Sequence, residues 1–518
     1  MRHKYALINS TIGITLFIIS TILLVVRRSV MINTLGADFV AINALFNDIL
    51  MLLNIADIGL WGAVGAVLFK PIREQNYIQI KGIISFFKKV YRIIGSIFII
   101  FSMIVVFVIG YFFDHPEITD NQIRFYFTLT AINIAYTYYF SYRMILKDTD
   151  QKLYYLSFVI TLCKAVATIF QIIFLIFLKS FTVYLVIDFL TTIIYISIFN
   201  RIITRKYSFL KECDSEIDKD IKDKIIRSLK GLVFHKLGYL ALNSTNYLYT
   251  ALFSGLKMTA IYSNYQMIIV VIQGLINNLF TSINSTIGNI IIGEDSEKRY
   301  INFRILFLIN FWLVSLAAIL FYNTSSSFMS FWVGTDYIAP NNTVALFTAY
   351  IFFGLIRAAT EQFKFASGVF YEDRFIPLIE AFVNVVSCLL LGKEFGITGI
   401  VAGNLLTVLL ITTWQKPYIV FKYVFHRSLR EYFKLFILFL IIGMLALYIS
   451  NKMCILLNSS LSISNYIFIF IVNSLITVFV VNIIYVLFFW NTQMFKMIRK
   501  YTINAIKLVT IQLPTREN

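Results

Sequence analysis

Long apolar runs separated by short polar breaks set the pattern of this chain. "LFIISTILLVV" at 16–26 is one, and similar runs recur to residue 490. A run of about 18 or more apolar residues crosses a hydrocarbon core of roughly 30 Å as a helix. The pattern predicts about fourteen spans: 7–26, 42–68, 90–113, 123–146, 153–178, 182–203, 232–253, 260–291, 302–322, 343–367, 375–391, 396–420, 432–450 and 463–490. Membrane β-barrels need segments of about ten residues with period-two alternation, and the sequence has none. The expected fold class is an all-α polytopic membrane protein.

The breaks carry the organisation. Most are short, and "RKYSFLKECDSEIDKDIKDKIIRSLKG" at 205–231 is the one sizeable charged segment. Its mixed signs predict an exposed linker or surface helix. It divides the chain into an N-terminal lobe at 1–204, a C-terminal lobe at 232–426, and a final helix pair with a basic tail at 427–518. The lobes look related. Sliding the sequence by about 219 positions sets Gly36 on Gly255, Ala41-Ile42 on Ala260-Ile261, and Asn47 and Asn54 on Gln266 and Gln273. The matched spans run in one direction, so the expectation is two pseudo-symmetric six-helix lobes about an axis along the membrane normal.

Polar residues within the spans fall at helical spacing. Asn43, Asn47, Asn54 and Asp57 mark the second span. Thr130, Asn133, Thr137 and Ser141 mark the fourth, and Thr161, Lys164, Thr168 and Gln171 the fifth. Tyr239, Asn243, Asn246 and Thr250 mark the seventh, and Gln266, Gln273, Asn277, Thr281 and Asn284 the eighth. Offsets of three, four and seven put each set on one face. A single stripe is accounted for by interhelical hydrogen bonds, worth about 0.6 kcal/mol each. Five stripes in one chain point to a shared water-filled cavity.

Charges inside the spans sharpen that reading, since one at a helix centre costs about 2.5–3.5 kcal/mol on insertion scales. Lys164 is mid-span with no local partner. Arg357, Glu361 and Lys364 share a narrow stripe in "RAATEQFKFASG", and Asp57 and Asp188 lie within spans. Arg27 and Arg28 close the first span, either snorkelling to the interface or facing the cavity. Arg357–Glu361 has a plainer reading as an internal i,i+4 pair. Cations outnumber carboxylates, which points to an anionic substrate such as a phosphate or diphosphate. The carboxylates are then counter-ions or ion-coupling groups.

Composition agrees with the class: 59% of residues are hydrophobic and 14% charged. The net charge of +18 would fit nucleic acid, but its placement argues against that partner. With the N-terminus inside, about 34 of the 45 Lys and Arg fall in cytoplasmic segments, the positive-inside bias. Both termini are therefore expected in the cytoplasm, and the first apolar run is read as a retained helix without an AxA-type cleavage site. Scattered Cys163, Cys213, Cys388 and Cys454 suggest no disulfide framework. Walker A, HExxH and dinucleotide motifs are absent, as is any large extramembrane segment. No enzyme, metal or cofactor is expected.

The stretch "LGADFVAINALFNDILMLLNIADIGLWGAVGAVLFKPIRE" from Leu35 resembles a signature of the Wzx polysaccharide flippases, through Leu35-Gly36, Leu45-Phe46, Asp57-Ile58-Gly59 and Phe69-Lys70-Pro71. A second signature is similar in Ala366-Ser367-Gly368, Asp373-Arg374, Pro377, Glu380, Asn384 and Gly396-Ile397-Thr398-Gly399. The chain departs in having Asp57 where Glu is commoner, Ala41 where Gly is commoner, and two spans beyond the usual twelve. The resemblance implies the multidrug/oligosaccharidyl-lipid/polysaccharide exporter (MOP) fold, with two lobes in a V around a cationic cavity, in a bacterial inner membrane. It implies transport of undecaprenyl-diphosphate-linked oligosaccharide, coupled to H+ or Na+, alongside a polysaccharide polymerase and other assembly proteins. Arg27, Arg28, Lys164, Arg357, Lys364, Asn243, Asn246, Gln273 and Asn277 are the expected substrate contacts. Asp57, Asp188 and Glu361 are the expected coupling groups or counter-charges. The rivals are a small-molecule antiporter of the same fold, for which an acidic cavity is expected, and a membrane polymerase, which needs a large outer loop.

Overall fold

The computed structural model describes residues 2–54, 60–110, 118–149, 155–211, 216–226, 240, 244–369, 372, 375–460 and 465–499. Among the described residues the regular structure is helical, with no strand, and nine helices are long and apolar enough to cross a membrane. The chain divides into two compact units, Met1–Ser263 with Phe375–Val385, and Asn264–Arg374 with Val386–Asn518.

The first unit opens with α1 (Arg2–Leu35), α2 (Ala37–Leu53), α3 (Leu60–Arg73), α4 (Tyr77–Ile109) and α5 (Asp120–Phe140). The short α6 (Ile145–Thr149), then α7 (Tyr155–Leu178) and α8 (Phe181–Lys206) follow. Local sequence explains several starts. Asn76 accepts the Gln79 N–H before α4, and Ser180 accepts the Val183 N–H before α8. Thr119 and Gln122 form a reciprocal capping box before α5. These side chains satisfy amide donors that have no partner in a helix's first turn.

Two expected spans need correction. The first does not stop at residue 26, so Arg27 and Arg28 lie inside α1 rather than at its end. The second, expected over 42–68, is two helices, and Asn54 caps the end of α2. Gly36 separates α1 from α2 at φ 97°, ψ 165°, a left-handed region where a side chain is strained. Gly255, its partner in the 219-residue offset, adopts φ 78°, ψ 175°.

Lipid supplies no hydrophobic drive between helices, so close packing and polar contacts must hold them together. At Gly95 on α4, a Cβ would stand 2.9 Å from Tyr138 Cβ on α5, so only glycine admits that approach. Phe46 meets Phe127 edge-on at 5.3 Å. Outward residues such as Phe177, 78% exposed, suit acyl chains. The linker is not wholly exposed. Ile225 is buried, and a Cβ at Gly82 of α4 would fall 2.6 Å from the Glu216 carbonyl oxygen. A surface helix at 219–226 is thereby anchored on the unit.

The unit boundary falls within α9 (Asn246–Ser282). The second unit continues with α10 (Asn284–Gly293), α11 (Ser296–Trp332), α12 (Asn341–Leu355) and α13 (Ala358–Ala366). After α14 (Ile376–Thr407), whose residues up to Val385 belong to the first unit, it ends with α15 (Thr413–Val420), α16 (Leu429–Ser460) and α17 (Tyr466–Phe489). The run expected as one span over 343–367 is α12 and α13, broken at Ile356 and Arg357. α14 turns back at Gly396, φ 56°. Beyond that turn, a Cβ on Gly403 would sit 2.8 Å from Cys388 Sγ, so two helical arms lie against each other. π-helical turns at Val408–Thr412 and Phe421–Phe425 flank Pro417, which cannot donate a helix hydrogen bond.

Phe303, Phe307, Phe311, Phe421, Tyr432 and Phe439 form an aromatic column between α11 and α16. Asn323 of α11 stitches in the final pair. Its Nδ2 donates to Ser450 Oγ at 3.1 Å and Thr477 Oγ1 at 3.0 Å, and its Oδ1 accepts from Asn451 Nδ2. Asn473 Nδ2 reaches the Asn323 carbonyl at 3.0 Å.

Candidate functional site

Four helices of the first unit converge on a polar cavity of about 190 Å³. α1 contributes Arg27, α2 contributes Asn43 and Asn47, α5 contributes Thr130 and Asn133, and α8 contributes Tyr184 and Asp188. The helical periodicity already seen in the sequence delivers these groups in pairs: positions three or four apart share one face. Asn47 Nδ2 donates to its own helix at Asn43 O, 2.7 Å away, and Thr130 Oγ1 donates to Tyr126 O at 2.9 Å. Each side chain thus places one donor on its own helix, and the Asn47 amide oxygen has no partner in these bonds.

Neutral groups hold the charges. Arg27 Nη1 donates to Gln171 Oε1 of α7 at 2.7 Å. Buried Gln171 is oriented by its own bond from Nε2 to the Tyr184 carbonyl, 3.2 Å. The Arg27 guanidinium also stands over the Tyr184 ring, 5.4 Å from its centroid, a favourable cation–π position. Asp188 accepts from Asn133 Nδ2 at 2.9 Å. Its carboxylate also feels the charges of Arg27 and Lys164. Lys164, exposed on α7, stands 5.9 Å over the Tyr195 ring of α8. Arg28 turns from this group, and its Nη2 donates to the Ser263 carbonyl at 3.4 Å.

Asp48 went unremarked in the sequence. It is 5% exposed and accepts the Tyr247 N–H at 3.0 Å, at the start of α9. An aspartate amid apolar residues of α2 was the available signal, masked by the neighbouring asparagine stripe. Asn246 begins the same helix, and its carbonyl takes the Thr250 hydroxyl. Asn243 and Asp57 lie outside the described residues.

The second unit holds a different charge cluster. Arg357 Nε and Lys416 Nζ both contact Glu361 Oε1, at 3.1 and 2.5 Å. The side chains of Arg357, Glu361 and Lys416 are 27%, 34% and 19% exposed. Lys364, one turn beyond, adds its charge to the field at Glu361. The cluster sits at the α12–α13 break. There Asn310 of α11 donates to the Leu355 and Ile356 carbonyls, at 3.3 and 2.5 Å, satisfying acceptors that the break leaves without a helical partner. The i,i+4 spacing of Arg357 and Glu361 made their pairing legible in the sequence, but Lys416, 55 positions on, carried no such signal. Gln273 and Asn277 lie past Gly255 on α9, half-buried and exposed, and neither lines the cavity of the first unit.

No family model and no curated protein matches the chain. Solved structures do. The chain is similar to the lipid II flippase MurJ in an inward closed conformation, with a TM-score of 0.67 and 13% identity over 94% of this chain and 99% of that one. It is also similar to an inward-facing multidrug resistance MATE transporter of the MOP superfamily, with a TM-score of 0.56 and 12% identity over 77% and 94%. The protein is a polytopic helical membrane protein with the MOP-superfamily fold found in MurJ and MATE transporters.

Proposed function

We propose that this chain is a flippase for a lipid-linked, diphosphate-bearing oligosaccharide, of the undecaprenyl-diphosphate type used in surface polysaccharide assembly. It is a transporter in this reading, not an enzyme. The observation that carries the reading is Arg27. A guanidinium lines a membrane-embedded cavity while bonded to a neutral amide, which leaves its charge available to an anion. A fold shared over almost the whole chain with a lipid II flippase supports the same substrate class.

In this mechanism the diphosphate-sugar head crosses through polar cavities by alternating access, and the lipid tail stays in the bilayer. Arg27 and Lys164 attract phosphate, and Asp188 is the counter-charge or the coupling site for H+ or Na+. Arg28 and Asn246 in the first unit and Gln273, Asn277 and Lys364 in the second are further polar contacts for the head, while Arg357 and Glu361, bonded with Lys416, brace the second unit. The topology proposed with it has about fourteen spans in two six-helix lobes (1–204 and 232–426, joined by 205–231), a final pair within 427–518, and both termini on the cytoplasmic side of a bacterial inner membrane.

The test is flipping of a fluorescent polyprenyl-diphosphate oligosaccharide in proteoliposomes. Wild type should move it, and Arg27→Gln and Lys164→Gln should each slow it at least about tenfold, the worth of about 1.4 kcal/mol at the transition state. Unchanged flux in both variants sinks the mechanism. The cavity's carboxylate favours one other reading, cation antiport. Uptake of an organic cation abolished by Asp188→Asn, without lipid flipping, would establish that instead.

A further inference from the structure

The end of α8 carries a second concavity, separate from the cavity lined by Arg27 and Asp188. It is an open cleft of about 500 Å³ lined by Asn200, Arg201, Thr204, Arg205 and Ser208. Among the described residues no carboxylate lines it. Arg201 and Arg205 are one helical turn apart and exposed, so their guanidiniums share a face. Among the described residues neither guanidinium is ion-paired.

The neutral groups are arranged to donate. Arg143 Nη1 donates to Thr204 Oγ1 at 2.8 Å, and its Nη2 donates to the Leu210 carbonyl at 3.0 Å. Having accepted from a cation, the Thr204 hydroxyl is polarised and keeps its own proton to give. Asn200 Nδ2 donates one hydrogen to the Phe140 carbonyl at 2.9 Å, and its Oδ1 is buried without a partner. The α8 C-terminus itself carries partial negative charge, so an attractive field for an anion has to come from side-chain cations such as the two arginines.

We propose that this cleft is a phosphate-binding site, with Arg201 and Arg205 as paired guanidinium ligands and Thr204 and Ser208 as hydroxyl donors. The guanidinium fork matches phosphate oxygens two at a time. The position fits a membrane-surface phosphate. Arg201 and Arg205 occupy the last turns of a helix long and apolar enough to span the membrane, where arginines reach the headgroup layer. The ligand chemistry is a phosphate mono- or diester, from an anionic lipid headgroup or from solution. The proposal does not depend on the transport reading.

The experiment is thermal unfolding of the purified full-length protein in detergent, with phosphatidylglycerol, phosphatidylcholine or inorganic diphosphate added. Wild type should be stabilised by phosphatidylglycerol and not by phosphatidylcholine. In R201Q/R205Q the concentration needed for half the shift should rise on the order of tenfold or more, given about 1 kcal/mol per surface cation. R201K/R205K should keep an intermediate response, and single R205Q serves if the double variant does not fold. A control pair at the end of α3, K70Q/R73Q, should respond as wild type. A shift with diphosphate that also needs the arginines assigns the site to a soluble phosphate. A shift with lipid alone assigns it to a headgroup. Equal responses from wild type and R201Q/R205Q, or equal losses in R201Q/R205Q and K70Q/R73Q, overturn the proposal.

Discussion

In the first unit, Arg27 and Asp188 face a cavity and each is held by a neutral amide, Gln171 for the cation and Asn133 for the carboxylate. In the second, Glu361 is clamped directly by Arg357 and Lys416. Both arrangements place charge in helices of a membrane-protein fold, and both satisfy it. The difference lies in what remains. An amide orients an ion without cancelling its charge, so the field of Arg27 still extends into the cavity. The cluster keeps a net positive charge, but its carboxylate is bonded to both cations, and those bonds hold α13 to α15. Membrane charge of the first kind is suited to ligand binding, and of the second kind to architecture.

This contrast can be broken. The largest expected effect is on stability in the second unit. Glu361→Ala leaves two cations facing each other, and removing one partner of a buried pair costs about 3–5 kcal/mol. Partial exposure brings the expectation to the lower end, read as a clear fall in unfolding temperature. If the variant unfolds like wild type, the cluster is not structural. Next comes Arg27→Gln, expected to cut flux about tenfold while shifting stability far less than Glu361→Ala does. A variant that is inactive because it is unfolded would erase the distinction.

A smaller effect is expected for Asn133→Leu. It removes one hydrogen bond to the Asp188 carboxylate, worth about 1.5–3 kcal/mol for a bond to a charged group, reduced here because Asp188 is accessible. Flux should fall a few-fold through misorientation, and no change would place Asn133 outside the site. The smallest is expected for the triple replacement Arg357→Met/Glu361→Leu/Lys416→Met. Apolar groups of similar volume often replace buried ion clusters at little cost, so unfolding should return close to wild type. If flux is lost while the fold survives, the second cluster belongs to the transport path after all.

How far the sequence carried can be read from the same residues. The stripes at Asn43–Asn47 and Thr130–Asn133 were visible because a helix repeats its faces every three to four positions. They converge with Arg27 and Asp188 on one cavity. Gly36 and Gly255, matched at an offset of about 219, share an unusual backbone conformation. That likeness is what a sequence offset expresses when two glycines turn the chain alike. Nothing near Lys416 in the sequence assigns it to Glu361, and Gln171 is legible as a stripe member but not as the partner of Arg27. Both contacts link helices far apart in sequence, and periodicity within one helix carries no information about which helix lies opposite.

The sequence by itself determined the class: apolar length and the scarcity of charge require spanning helices, because an unpaired backbone cannot cross lipid. It also determined which faces are polar. Tertiary structure decided the pairing of charges, and with it which of them stay available to a ligand. It alone brought Asp48 to the first turn of α9, and Asn323 to the final two helices. The physical reason is range. Helical periodicity is a local property, fixed by residues three and four apart, whereas the field at a buried charge depends on every helix packed against it.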